Sequence, residues 1–353
     1  MKKIFFILFI LSLVSKNSKS IDESINKNLV SKLIGNVREE IIDKSLLYLP
    51  SKNQVNILKM SYQMNKAKEE NSLNDVETAY LIFKWIAQNI KVKFFEEKDS
   101  DDALGVYSSG QGSPKGLSSL FNLICGFLDL KTDSISGYLK FANKNIDDPE
   151  ITIIKEFTWN YIEIDGEYYL IDVSMASDLK GYNNYNTLSD FIFVYFGTEP
   201  EIFIRLHFPN ESKWQLLSKP YSLEKFESMA LLYPFFYLMG FKTISPDTNI
   251  LNGNGKFKLT SDKSIPKYQI EYNEVFDEGD ESGEFITSDD ETNEPIEISY
   301  NTETNKCVMI CMKFGYYNIH CPSLPIVCYN TKYTKLSSFS LNRQKDLKVK
   351  NIQ

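Results

Sequence analysis

Apolar residues recur at helical spacing through Leu29, Leu33, Ile34, Val37, Ile41 and Ile42, which predicts an N-terminal helical segment within residues 21–70, its first helix ending near Pro50. A second helix is marked by Asn74 and Glu77, arranged as a capping box, followed by Val76, Ala79, Tyr80, Phe83, Ile86, Ala87 and Ile90 on one face. A third opens at Pro114, since proline suits the first helical position, where its missing N–H would be unpaired anyway. Behind it Leu117, Leu120, Phe121, Ile124, Cys125 and Leu128 repeat as a buried face.

Period-two stretches follow. Ser134–Phe141 reads as a strand, and Phe157–Ile164 and Glu167–Val173, joined by Asp165-Gly166, read as a tight hairpin. With Ile164 opposite Glu167, Trp159 opposes Asp172, and Phe157 and Asp172 become diagonal neighbours about 7 Å apart on one face. Past Pro246 the pattern changes to short strands at Lys256–Leu259, Lys267–Val275, Ile296–Tyr300 and Cys307–Phe314, the spacing of a β-sandwich. Between them, residues 276–294 carry eight acidic side chains from Asp277 to Glu291 and are expected to form a mobile loop. The domain reading is a helical segment at 21–70, an α+β domain at 71–245, a β-sandwich at 246–340 and a tail at 341–353.

The first residues add a compartment. Lys2 and Lys3 precede an apolar run from Ile4 to Val14, and Ser18-Lys19-Ser20 supplies small residues for cleavage, so residues 1–20 read as a secretory signal. That run is shorter than the roughly 20 apolar residues a spanning helix needs, and no later stretch reaches that length. Among 353 residues, 42% are hydrophobic and the formal net charge is −8, enough apolar residue to fill a core and too little clustered cation for a nucleic-acid partner.

Four of the five cysteines, Cys307, Cys311, Cys321 and Cys328, lie close together, and in an oxidising compartment they read as one or two disulfides with three pairings open. A zinc site using His320 and Cys321 is the competing reading. Asn210 heads an Asn-x-Ser glycosylation sequon. No cofactor or metal is expected.

One constellation carries candidate chemistry. Gly110-Gln111-Gly112-Ser113-Pro114-Lys115-Gly116-Leu117-Ser118 resembles the transglutaminase-like "Gly-x-Cys-x-Gly-aromatic-Ser/Ala" segment. Phe157-Thr158-Trp159-Asn160 and Leu170-Ile171-Asp172 resemble that family's "His-x-Trp-Asn" and "Ile-Asp" segments. Phe196-Gly197-Thr198-Glu199-Pro200-Glu201, His207-Phe208-Pro209 and Trp214-Gln215-Leu216-Leu217 resemble its kyphoscoliosis-peptidase-like branch, over roughly residues 75–241. The resemblance implies a papain-related α+β fold with an immunoglobulin-like companion module. It also implies a triad of cysteine nucleophile, histidine base and orienting aspartate, which falls on Pro114, Phe157 and Asp172.

Neither proline nor phenylalanine can attack a carbonyl or move a proton, so only Asp172 survives in that mapping. Cys125 lies eleven residues into the helix, about 16 Å along its axis, and reads as a core thiol. Ser113 with Lys115 is a remote substitute, because a lysine base must be desolvated. His207 reads as part of a structural loop, and Trp159 and Asn160 as core and turn supports. Asp172 is expected to bond Trp159 N–H or neighbouring backbone. The functional expectation is a secreted, catalytically inactive binding or structural protein with a protein or cell-surface partner; the alternative is a hydrolase or cross-linking enzyme of the same superfamily.

Overall fold

A computed structural model describes residues 26–52, 54–94, 101–143, 150–181, 186–251, 254–261, 268–275, 281–288, 294–301, 307–314 and 324–330. The signal at 1–20 and the tail at 341–353 lie outside them. Helices α1 (Glu39–Tyr48), α2 (Ile57–Glu70) and α3 (Asp75–Asn89) come first. The expected continuous helix from Leu29 is instead broken. The helix is interrupted at Ser31, which pairs with Thr198 and whose hydroxyl donates to Phe196 O at 2.5 Å. Burial by pairing with a distant strand overrides local periodicity there.

The capping box of α3 forms as read: Glu77 N donates to Asn74 Oδ1 and Asn74 N to Glu77 Oε2. Glu77 is further bonded by Arg38 Nε and Nη2, both at 2.6 Å, and this guanidinium is the main reason its carboxyl sits below its ordinary value. A depressed carboxyl contributes stability above the unfolded pKa of about 4.3, and that contribution is lost as pH falls through the lower folded value. Acid titration followed by circular dichroism should therefore show Glu77→Gln less stable than wild type at neutral pH, with the gap closing in acid.

With the short parallel pair β1 (Lys91–Val92) and β2 (Gln111–Gly112) come helix α4 (Ala103–Ser109) and helix α5 (Pro114–Phe127), and α5 packs on a sheet. That sheet holds β3 (Lys131–Asn143), β4 (Glu150–Ile164), β5 (Glu167–Ile171), β6 (Phe196–Thr198) and β7 (His207–Pro209), all antiparallel in the order β6-β5-β4-β3-β7. The hairpin register is as computed, Ile164 opposite Glu167 and Asn160 opposite Ile171, around Asp165 and Gly166 with φ of 53° and 84°. The strand, however, stops at Ile171. Asp172 turns the chain, and α6 (Val173–Gly181) follows.

The architecture is α+β. The C-terminal strands β10 (Asn254–Ser261), β11 (Tyr268–Val275), β12 (Glu281–Ser288), β13 (Ile296–Asn301), β14 (Cys307–Phe314) and β15 (Leu324–Asn330), with β8 (Leu231–Leu232) and β9 (Phe241–Ser245), form two further antiparallel sheets, β13-β10-β9 and β12-β11-β14-β15-β8. Two boundaries differ from expectation. β8 (Leu231–Leu232) and β9 (Phe241–Ser245) precede residue 246 yet pair with β15 and β10, so the sheets recruit chain from the preceding segment. The acidic stretch 276–294 contains β12 (Glu281–Ser288), paired along its length with β11, because Phe285, Ile286 and Thr287 supply strand-favouring residues that the charge count hid. Cys307 is opposite Asn330, Cys311 opposite Pro325 and Cys328 opposite Met309; Cys321 and His320 lie outside the described residues.

Candidate functional site

Helix α5 begins at Pro114, with Ser113 as its N-cap accepting from Gly116 N at 3.0 Å. The Ser113 hydroxyl also donates to Asp101 Oδ1, and Lys115 Nζ approaches Asp101 Oδ2 at 3.4 Å while its side chain is 64% exposed. The serine's proton is thus directed to Asp101, and the exposed, ion-paired lysine lacks the desolvation a lysine base requires. Cys125 is fully buried three turns on, and burial pushes its thiol up, away from the reactive thiolate.

Helix α5 is tied to β4 through Asn160, whose Nδ2 donates to Ser118 O at 3.1 Å and to Asn122 Oδ1 at 2.8 Å; Ser118 Oγ in turn donates to Trp159 O. Asn160 is therefore a mid-strand brace rather than a turn support. On the same strand Phe157 is 1% exposed, its ring 6.3 Å from Phe94, 6.4 Å from Trp159 and 5.8 Å from His207.

His207 is the residue whose position the sequence reading missed. It lies on β7, opposite Leu139 of β3, and its ring crosses under Trp159 to donate from Nε2 to Asp172 Oδ2 at 2.7 Å. Phe203 stacks on its other side at 3.9 Å. The expected structural loop is a strand, and its histidine completes a buried carboxylate–imidazole pair. Gly137 permits this crossing, since a Cβ there would stand 2.1 Å from Phe208 O and 2.8 Å from Trp159 Cη2. Gly137→Ala should accordingly push β7 off β3 and lower the melting temperature; an unchanged melt would show that the approach is looser.

Asp172 also accepts at Oδ1 from Ser174 N (2.9 Å), Met175 N (3.0 Å) and Ser174 Oγ (2.5 Å), capping α6. Its expected backbone partners are present, but Trp159 Nε1 is not among them. Trp159 Nε1, Asn160 Oδ1 and His207 Nδ1 are the buried side-chain atoms without a partner among the described residues. The arrangement orients the His207 imidazole against Asp172. A surface cavity of about 350 Å³ lies elsewhere, lined by Lys32, Glu167, Tyr168 and Thr198 among others. Asn210 is exposed beside β7. No helix among the described residues is long and apolar enough to cross a membrane.

No protein-family model matches the chain. It is 28% identical over 204 residues to the kyphoscoliosis peptidase of Mus musculus, covering 55% of this chain and 30% of that protein. It is 25% identical over 179 residues to the Lim and transglutaminase domain protein ltd-1 of Caenorhabditis elegans, covering 46% of this chain and 24% of that one. A solved structure described as a TGase gives a TM-score of 0.24 at 12% identity over 46% of this chain and 37% of that one. The chain thus spans less than a third of the two curated relatives, and the similarity to them supports a transglutaminase-like family.

Proposed function

We propose that this chain is a secreted, catalytically inactive transglutaminase-like protein, in which the region of the family's active site has become packed core and the domain acts as a binding or structural module. The observation that carries this reading is Phe157, at the family's histidine position, buried among Phe94, Trp159 and His207. A ring there excludes water and substrate from the imidazole, and Pro114 at the helix start has no group that can form a covalent intermediate. The partner is a protein or a cell-surface component, and the region beyond residue 246 is an immunoglobulin-like companion module.

A second reading, an enzyme, is favoured by one observation: Asp172 and His207 form the orienting half of an acid–base couple. The two separate by assay of the purified full chain for peptide hydrolysis, glutamine–amine cross-linking and labelling by a thiol-directed active-site probe. No activity and no label are expected. Activity abolished by Asp172→Ala or His207→Ala would establish the enzyme instead.

Secretion carries its own test. Alkylation of the secreted chain without reduction should leave Cys307, Cys311, Cys321 and Cys328 at least partly unmodified, since an oxidising compartment links neighbouring thiols. Four fully alkylated cysteines would contradict both the disulfides and the compartment.

A further inference from the structure

A second buried polar cluster lies where the chain passes from the α+β sheet to the C-terminal strands. Lys140 on β3 is fully buried, opposite Ile153 of β4, and its backbone N–H donates to Leu206 O. A buried lysine ordinarily carries a carboxylate partner. Lys140 instead donates from Nζ to Phe226 O and, at 2.9 Å, to Met229 O, with the Phe226 ring 4.5 Å away. These carbonyls belong to α7 (Leu223–Ser228) and its C-cap, which the helix itself leaves unpaired.

Three neighbouring backbone groups, Glu227 O, Ser228 O and Ala230 N, are also held. Asn249 donates from Nδ2 to Glu227 O and from its backbone to Ser228 O at 2.8 Å. Asp247, clamped by Arg205 at 2.7 and 3.0 Å, accepts from Ala230 N. Directly beyond, Leu231 and Leu232 form β8 and pair with β15. Lys140 therefore holds the peptide that joins the two parts of the fold.

We propose that Lys140 is a proton-sensitive latch, holding residues 226–230 and, through β8, the C-terminal five-stranded sheet against β3. Burial first, and then the Arg205 and Lys225 charges, push its amine down to about 7, against the pull of Asp247 and Glu227. An opened segment would return the amine to its ordinary value of about 10.4. Between those values the opened form binds more protons, so opening becomes easier as pH falls from about 10 towards 7 and levels off below.

The full-length chain tests this in two ways. The 13Cε resonance of Lys140 should titrate near 7, apart from the other lysines. Tryptic cleavage after Lys225, normalised to the unfolded chain, should quicken by up to about tenfold per pH unit as pH falls from 10 to 7. Lys140→Met leaves both carbonyls without their donor, so cleavage should be several-fold faster at pH 10 and lose that pH dependence. Lys140 titrating above 10, or identical cleavage profiles for wild type and Lys140→Met, would overturn the proposal. Should the variant not fold, the titration of the wild-type resonance alone decides.

Discussion

Replacing Phe157 with alanine should lower the unfolding free energy by about 3–5 kcal/mol, the range for truncating a fully buried aromatic ring. The ring is closed in by Phe94, Trp159 and His207, of which Trp159 is held in β4 and His207 by Asp172. Urea denaturation measures the loss directly. A loss below about 0.5 kcal/mol, the range of surface sites, would mean that the cleft is open and favour a ligand groove there.

The second large effect is expected at Asp172. Its carboxylate serves four donors at once, from Ser174, Met175 and His207. Asp172→Ala strands two amides, a hydroxyl and an imidazole N–H in a dry site, and each unsatisfied buried group costs about 1–3 kcal/mol. A loss above about 3 kcal/mol is therefore expected. Asp172→Asn, which retains an acceptor for the helix amides, should lose distinctly less. Equal losses for the two variants would show that the helix cap contributes little and that charge alone matters.

Much of the α+β sheet was legible because its signals are local. The capping box at Asn74 and Glu77, Pro114 opening α5, and Asp165-Gly166 setting the hairpin register each need only a few neighbouring residues, and each is found in place. The histidine was not legible, for a topological reason. β7 follows α6 and the strand β6 but pairs with β3, so the distance between His207 and Asp172 depends on a strand order that no local pattern encodes. A three-residue strand also shows too little alternation to be told from a loop. The usable signal was scarcity: the chain has two histidines, and one lies within the segments resembling the family. β12 is hidden for another reason, since acidic neighbours surround its three strand-favouring residues, Phe285, Ile286 and Thr287.

Whether the site around Asp172 is closed separates a packed core from an open cleft. Reaction of the native chain with diethylpyrocarbonate, read by peptide mass, measures this at His207, one of two histidines in the sequence. His207 is 1% exposed, and its free Nδ1 is buried. No modification of His207 is expected until the protein is unfolded, and earlier modification is expected in Phe157→Ala. Modification of His207 in the native wild type at the rate of an exposed histidine would contradict a packed core, because an imidazole that solvent reaches, oriented by Asp172, belongs to an open site.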